Sequence, residues 1–173
     1  MTQELIDLRA SILERRYEDA LAIIDELEGM SKQAILRNIE SFLVRLIIHL
    51  IKNQIEQRLT NSWVASISDS IRQIKKLNLK DNKTSYYINT SEWQPFLEEA
   101  IEAAIRPASI EVLNGQLKPS QLSKQLDRTQ LIVVAQRLID LTYQYSAKDL
   151  PGIVDTSLAE LPGASDWLES QGL

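Results

Sequence analysis

Apolar residues recur at helical spacing along most of the chain, and the longest such stretch runs from Ser31 to Arg58. At about 100° per residue, Asn38, Ser41, Arg45, His49, Lys52 and Glu56 fall within an arc of roughly 80°, one polar stripe on an otherwise apolar cylinder. Leu36, Ile39, Leu43, Leu46, Ile47 and Leu50 occupy one flank and Val44, Ile48, Ile51 and Ile55 another. A helix apolar on most sides is normally interior, so this one is expected at the centre of a bundle. It does not read as a membrane span: Phe42 to Ile51 is short of the ~20 apolar residues required and is interrupted by Arg45 and His49.

The same period predicts the other elements. A first helix covers about Thr2 to Glu14 with Leu5, Leu8, Ile12 and Leu13 on one face, and a second covers Tyr17 to Leu27 with Tyr17, Ala20, Leu21, Ile24 and Leu27 inward. Gly29 reads as a stop and Ser31 as the N-cap of the long helix. Thr60-Asn61-Ser62 breaks that helix, and Ser62 is placed as the cap of the next, whose Trp63, Ile67, Ile71 and Ile74 keep the spacing. After a polar loop at Lys80–Lys83 and an extended connector at Ser85–Asn89, Thr90 or Ser91 caps a helix with Trp93, Leu97, Ala100, Ile101, Ala104 and Ile105 inward. Pro107 is expected to kink or end it near Arg106. Pro119 to Leu126 predicts a short helix, and Asp127 caps another reaching Tyr145 with Leu131, Val134, Ala135, Leu138, Leu141 and Tyr145 inward.

Beyond Tyr145 the texture changes to an acidic tail punctuated by Pro151-Gly152 and Pro162-Gly163. The predicted fold class is all-α, a multi-helix bundle around a central buried helix at about residues 31–59. Residues 1–145 are expected as a single helical-bundle domain, and residues 146–173 as an acidic C-terminal arm packing on the bundle or on a partner.

Charge and composition narrow the chemistry. Residues 31–80 hold nine Lys or Arg against three acids, a local +6 in a chain of net −5, so the remainder carries −11. The plain reading is compensation between neighbouring helices; the sharper one is a basic face at Arg72, Lys75, Lys76 and Lys80 for an anionic partner such as nucleic acid. The chain has no cysteine, which excludes disulfides, thiolate metal sites and a cysteine nucleophile together. An acid at position 4 and the charges Asp7 and Arg9 do not suit a secretory signal, and a cytoplasmic location is expected.

No motif carries a reaction. A glycine-rich phosphate loop and a Gly-x-Ser-x-Gly elbow are both absent from the sequence. The one histidine, His49, shares its stripe with Arg45, Lys52 and Glu56 and lies one helix before Trp63, a constellation that could serve as a base or an anion contact, although a structural histidine is the ordinary reading. No zinc spacing exists and no cofactor is expected; Asp25, Glu26 and Glu28 are the only loose grouping for a divalent cation. Residues 120–137 imitate a helix-turn-helix in length, but the second helix opens with Leu131, Ile132, Val133 and Val134 where base-reading side chains belong. Ile132, Val133 and Trp167 are candidate exposed anchors for association.

Glu26-Leu27-Glu28-Gly29-Met30, then Glu40-Ser41, His49-Leu50-Ile51-Lys52 and Ser62-Trp63, resemble in order and spacing the domain-of-unknown-function family 29, small and mostly cyanobacterial proteins. Trp93 to Ala108 is similar to that family's later helix, so the resemblance covers roughly residues 15–113. It departs at Asn53, where the family usually has an aromatic, and at Leu59-Thr60-Asn61, where a basic residue usually precedes Ser-Trp. The resemblance implies an all-helical fold and a cyanobacterial source, and it brings no activity. The function expected is therefore a non-enzymatic helical interaction protein, self-associating or binding a protein partner. A nucleic-acid-associated regulator using the basic face is the alternative, and an enzyme using His49 comes third.

Overall fold

A computed structural model describes residues 1–172. Among these the chain forms eight α-helices: α1 (Gln3–Leu13), α2 (Tyr17–Glu56), α3 (Asn61–Asn78), α4 (Gln94–Glu111), α5 (Pro119–Gln125), α6 (Arg128–Gln144), α7 (Leu150–Leu158) and α8 (Ala164–Ser170). The architecture is all-α; the sole strand-like feature among the described residues is one antiparallel bridge, Leu79 to Tyr86, that pins the connector between α3 and α4. The chain divides into two compact units, residues 1–38 and residue 39 onward.

In the first unit, residues 14–16 join α1 to α2. Arg15 takes a left-handed backbone (φ 61°), and the Arg16 N–H donates to the Ser11 carbonyl at 2.8 Å. So short a link makes consecutive helices antiparallel neighbours. The seam of this hairpin is Ser11 and Ala20, the two buried residues of the unit, with Leu8, Ile23 and Leu27 half-shielded beside them.

Helix α2 corrects one boundary. Gly29 does not stop it and Ser31 does not cap a new helix: α2 is continuous for 40 residues. A glycine inside a helix costs only about 1 kcal/mol relative to alanine, and the neighbours Glu26, Leu27, Met30, Lys32 and Gln33 are good helix formers, so nothing forces a break. Along this helix Ala20 is buried in the hairpin seam, residues 31–34 are exposed, and regular burial sets in at Ile39, with Leu43, Leu46, Ile47 and Ile51 fully enclosed.

In the second unit, α3 packs on α6 and α7, α4 on α5 and α6, and α6 on α7. Its core joins Ile67, Ile71 and Ile74 of α3, Leu97, Ile101 and Ala104 of α4, and Leu131, Ala135, Leu138 and Ile139 of α6. The acidic tail contributes Leu150, Val154 and Leu158 of α7, then Leu161, Ala164 and Trp167, all buried.

Three local expectations change. Thr60, not Ser62, caps α3, its hydroxyl accepting from the Trp63 N–H at 3.1 Å. Asn89 rather than Thr90 or Ser91 begins the turn before α4, with its N–H donating to the Glu92 carboxylate at 3.1 Å. Pro107 sits inside α4 without ending it, because its fixed φ is helical and only one backbone bond is lost near the helix end. The stop comes later, where Leu113, Asn114 and Gly115 are all left-handed. Asp127 caps α6 by accepting from the Gln130 N–H at 3.0 Å, and Tyr145, expected inward, is 38% exposed because α6 ends at Gln144 and the chain turns extended there.

Candidate functional site

The polar stripe of α2 ends where four segments of the second unit converge: the last turns of α2, the turn into α3, the end of α4 and the turn before α8. Gln57 closes α2 in a left-handed conformation (φ 53°), its N–H bonded to the Asn53 carbonyl at 2.9 Å. The Asn53 amide then donates to the carbonyls of Arg58 at 3.0 Å and Pro162 at 2.8 Å, tying both flanking turns to the helix. Gly163 follows with φ 73°, and a methyl group on it would lie within 2.5 Å of Arg58 Cα. The departure from the family pattern at Asn53 is thus a buried polar rivet, 3% exposed.

Around this knot the predicted stripe residues separate by role. Trp63 is buried, and its ring is flanked by the Lys52 ammonium, 4.7 Å from the centroid, and the Arg58 guanidinium, 4.5 Å from it. Lys52 also reaches the Glu111 carboxylate at 3.4 Å, and Arg58 bonds Glu56 at 2.9 Å. Arg45 is spent elsewhere, on Asp69 at 2.9 Å and on the Ser66 hydroxyl at 3.4 Å. Asp69, also bonded by Arg72, has its carboxyl held below the ordinary range by Arg72 first and Arg45 second.

His49 is half-buried, and its Nδ1 lies 2.8 Å from the Arg45 carbonyl. A carbonyl only accepts, so Nδ1 carries the proton and the neutral ring keeps Nε2 as an acceptor. Burial, reinforced by the charges of Lys52 and Arg45 against the opposing pull of the carbonyl and of Glu111, holds its pKa below the ordinary histidine value. The ring is therefore neutral at pH 7. Chemically the cluster offers one weak base beside charges that are paired with opposite charges. Asp25, Glu26 and Glu28 spread around α2 instead of converging, and among the described residues no group of three His, Asp or Glu is placed to hold a metal ion.

The predicted basic face divides in the same way. Lys75 is half-buried and donates to the Thr142 carbonyl near the end of α6 at 2.6 Å, while Arg72, Lys76 and Lys80 are exposed, Arg72 pairing with Asp69 and Lys80 standing 5.4 Å from the Tyr87 ring centroid. In the helix-turn-helix mimic, Leu131, Val134 and Ala135 are core, and of the polar side chains on the second helix Arg128 bonds Glu102 and Ser123, Arg137 bonds Glu160 and Gln136 bonds Asp140, while Gln130 is exposed. A cavity of about 180 Å³ lies between α2, α6 and the turn before α8, walled by Leu50, Asn53, Gln54, Leu131, Val134 and the Arg137–Glu160 pair.

The candidate anchors divide too. Val133 is 52% exposed and Ile132 half-buried, but Trp167, expected as an exposed anchor, is 5% exposed because α8 folds back onto the core. The surface that sequence reasoning missed is at the other end of the chain. Leu5, Ile12, Leu13, Tyr17, Leu21 and Ile24, expected inward, are all at least 43% exposed. Their periodicity was the signal; it marks an apolar face without saying what covers it.

The chain belongs to the family described as Domain of unknown function DUF29, whose sequence profile matches residues 9–131. That span runs from within α1 through α2, α3, α4 and α5 to the start of α6. No curated protein and no solved structure matches the chain. No helix among the described residues is long and apolar enough to cross a membrane.

Proposed function

We propose that the chain is a non-enzymatic helical interaction protein of the cytoplasm, which associates with itself or with a protein partner through residues 1–38. One observation carries the reading: two successive helices joined by a three-residue link leave most of their large apolar side chains in water, Leu13 at 73% and Leu21 at 60%. Contiguous exposed apolar surface on a charged protein marks an interaction site. The pairing of Arg45 with Asp69, Lys52 with Glu111 and Glu56 with Arg58 supports a structural role for the polar stripe, and with it a protein that binds rather than catalyses.

The test is sedimentation of the tagged protein in an extract of its source cells, with and without nuclease, beside a Leu21→Glu/Ile24→Glu variant. A nuclease-resistant assembly that the variant fails to enter supports the reading. Migration of the wild type as a single chain sinks it. Nuclease-sensitive assembly would transfer the function to Lys76, Lys80 and their basic neighbours, with an affinity falling steeply in salt.

A further inference from the structure

We infer that the occupant of the apolar face on residues 1–38 is a second copy of the same hairpin, two copies closing a two-fold four-helix bundle in which α1 of each packs against α2 of the other. This rests on the reading of that face as an interaction surface. The geometry comes from the hairpin seam. On α1, at about 100° per residue, Leu5 and Ile12 lie roughly 80° around from the Leu8–Ser11 seam; on α2, Tyr17, Leu21 and Ile24 lie roughly 90° around, in the same sense, from the Ala20–Leu27 seam. In an antiparallel pair equal offsets in residue number turn toward the same side, so these five side chains form one continuous face across both helices.

The size of that face fits a second hairpin. From exposures of 43% for Leu5, 50% for Ile12, 59% for Tyr17, 60% for Leu21 and 43% for Ile24, the five expose about 550 Å² per copy. A symmetric pair would bury about 1,100 Å² from them alone, above the ~1,000 Å² expected of a specific interface before the flanking residues are added. A two-helix hairpin has an inner seam and a side, and can bury the side only on another layer; its own duplicate offers a layer of matching length and a closed point group.

Charge selects the arrangement. The start of α2 carries Glu18, Asp19, Asp25, Glu26 and Glu28 with no basic residue between them, whereas α1 and its turn balance Glu4, Asp7 and Glu14 with Arg9, Arg15 and Arg16. Stacking α2 on the partner's α2 would set two acidic runs face to face. Setting each α1 against the partner's α2 places the two acidic helices on a diagonal and brings Leu5 level with the partner's Ile24.

Two measurements on the purified full chain decide. Sedimentation equilibrium at micromolar concentration is expected to give twice the chain mass of 19.7 kDa, and Leu21→Glu/Ile24→Glu is expected to return it to one chain with unchanged far-ultraviolet dichroism. Because the chain has no cysteine, a Leu5→Cys chain mixed with an Ile24→Cys chain reports the pairing directly. A mixed disulfide more abundant than either homodimer is expected; predominant Leu5→Cys homodimers would overturn it by placing α1 against α1. Wild-type protein that stays a single chain when pure overturns the inference. If it still enters a variant-sensitive assembly in extract, the interaction reading survives with a different partner; if it stays single there as well, both fall.

Discussion

Substituting Gly163 by alanine tests the knot at the end of α2. The residue has φ 73°, a backbone conformation that costs an L side chain roughly 1–2 kcal/mol. The added methyl would also crowd the Gln57 carbonyl and lie within 2.5 Å of Arg58 Cα, backbone atoms that no rotamer change can clear. Relief requires either the turn at 57–58 or the turn at 162–163 to shift, and both are held by the Asn53 amide. Overpacking of this kind costs about 1–3 kcal/mol, so Gly163→Ala should destabilise the protein by about 3 kcal/mol in total. For a chain of this size that lowers Tm by roughly 6–12 °C.

Urea unfolding followed by dichroism and by tryptophan fluorescence is the assay, since Trp63 and Trp167 are both buried in this unit. Gly29→Ala provides the control: nothing lies within 4 Å of a methyl group there, the residue is mid-helix, and the change should stabilise its own helix by about 0.5–1 kcal/mol. A Gly163→Ala protein within about 0.5 kcal/mol of wild type would refute the reasoning, because that is the range of a surface substitution without structural consequence.

Asn53→Ala should cost about 2–4 kcal/mol, since it leaves the Arg58 and Pro162 carbonyls without their donor, and a double-mutant cycle with Gly163→Ala should be non-additive; additive urea midpoints would separate the two features. Tyr143→Phe should cost about 1–3 kcal/mol, because the Tyr143 hydroxyl accepts from Trp93 Nε1 at 2.7 Å and donates to the Ile88 carbonyl at 2.6 Å; an unchanged melting curve would contradict that network. His49 has its folded pKa below the unfolded value of about 6.5, so the unfolded chain takes up a proton first as pH falls. Its contribution is therefore complete above about pH 6.5 and is lost progressively below it, down to the folded value. His49→Gln should flatten the Tm profile across that window, and an unaltered slope would place the titration elsewhere.

Helix existence and type were legible because burial in an all-α unit repeats every three to four residues, and Ile67, Ile71, Ile74, Leu131 and Leu138 are core where their spacing put them. Boundaries were less legible because a single Gly or Pro sets a small local cost and its surroundings decide whether that cost is met. Gly29 lies among strong helix formers, and Pro107 comes four residues before the helix ends in any case, so both are absorbed. The candidate site was legible in its members and not in their partners. Arg45, His49, Lys52 and Glu56 do share one stripe of α2, with Trp63 one helix on, yet their meaning comes from Asp69, Glu111 and Arg58, which lie outside α2 and which no spacing within it could announce.

Trp167 and Leu21 show the same limit from opposite sides. Trp167 sits in a short amphipathic segment of an acidic tail, and nothing local says that Leu158, Leu161 and Ala164 join it in one buried layer. Leu21 sits in a regular apolar stripe that reads as core, and nothing local says that it is left 60% exposed. Periodicity reports which faces are to be covered; whether the cover is the same chain or another is a property of the whole fold. In this protein the tail is covered from within and the N-terminal hairpin is left open. The surface on which the proposed function rests is therefore an apolar stripe whose sequence is indistinguishable from core, while Arg45, Lys52 and Glu56 of the polar stripe are paired within the fold.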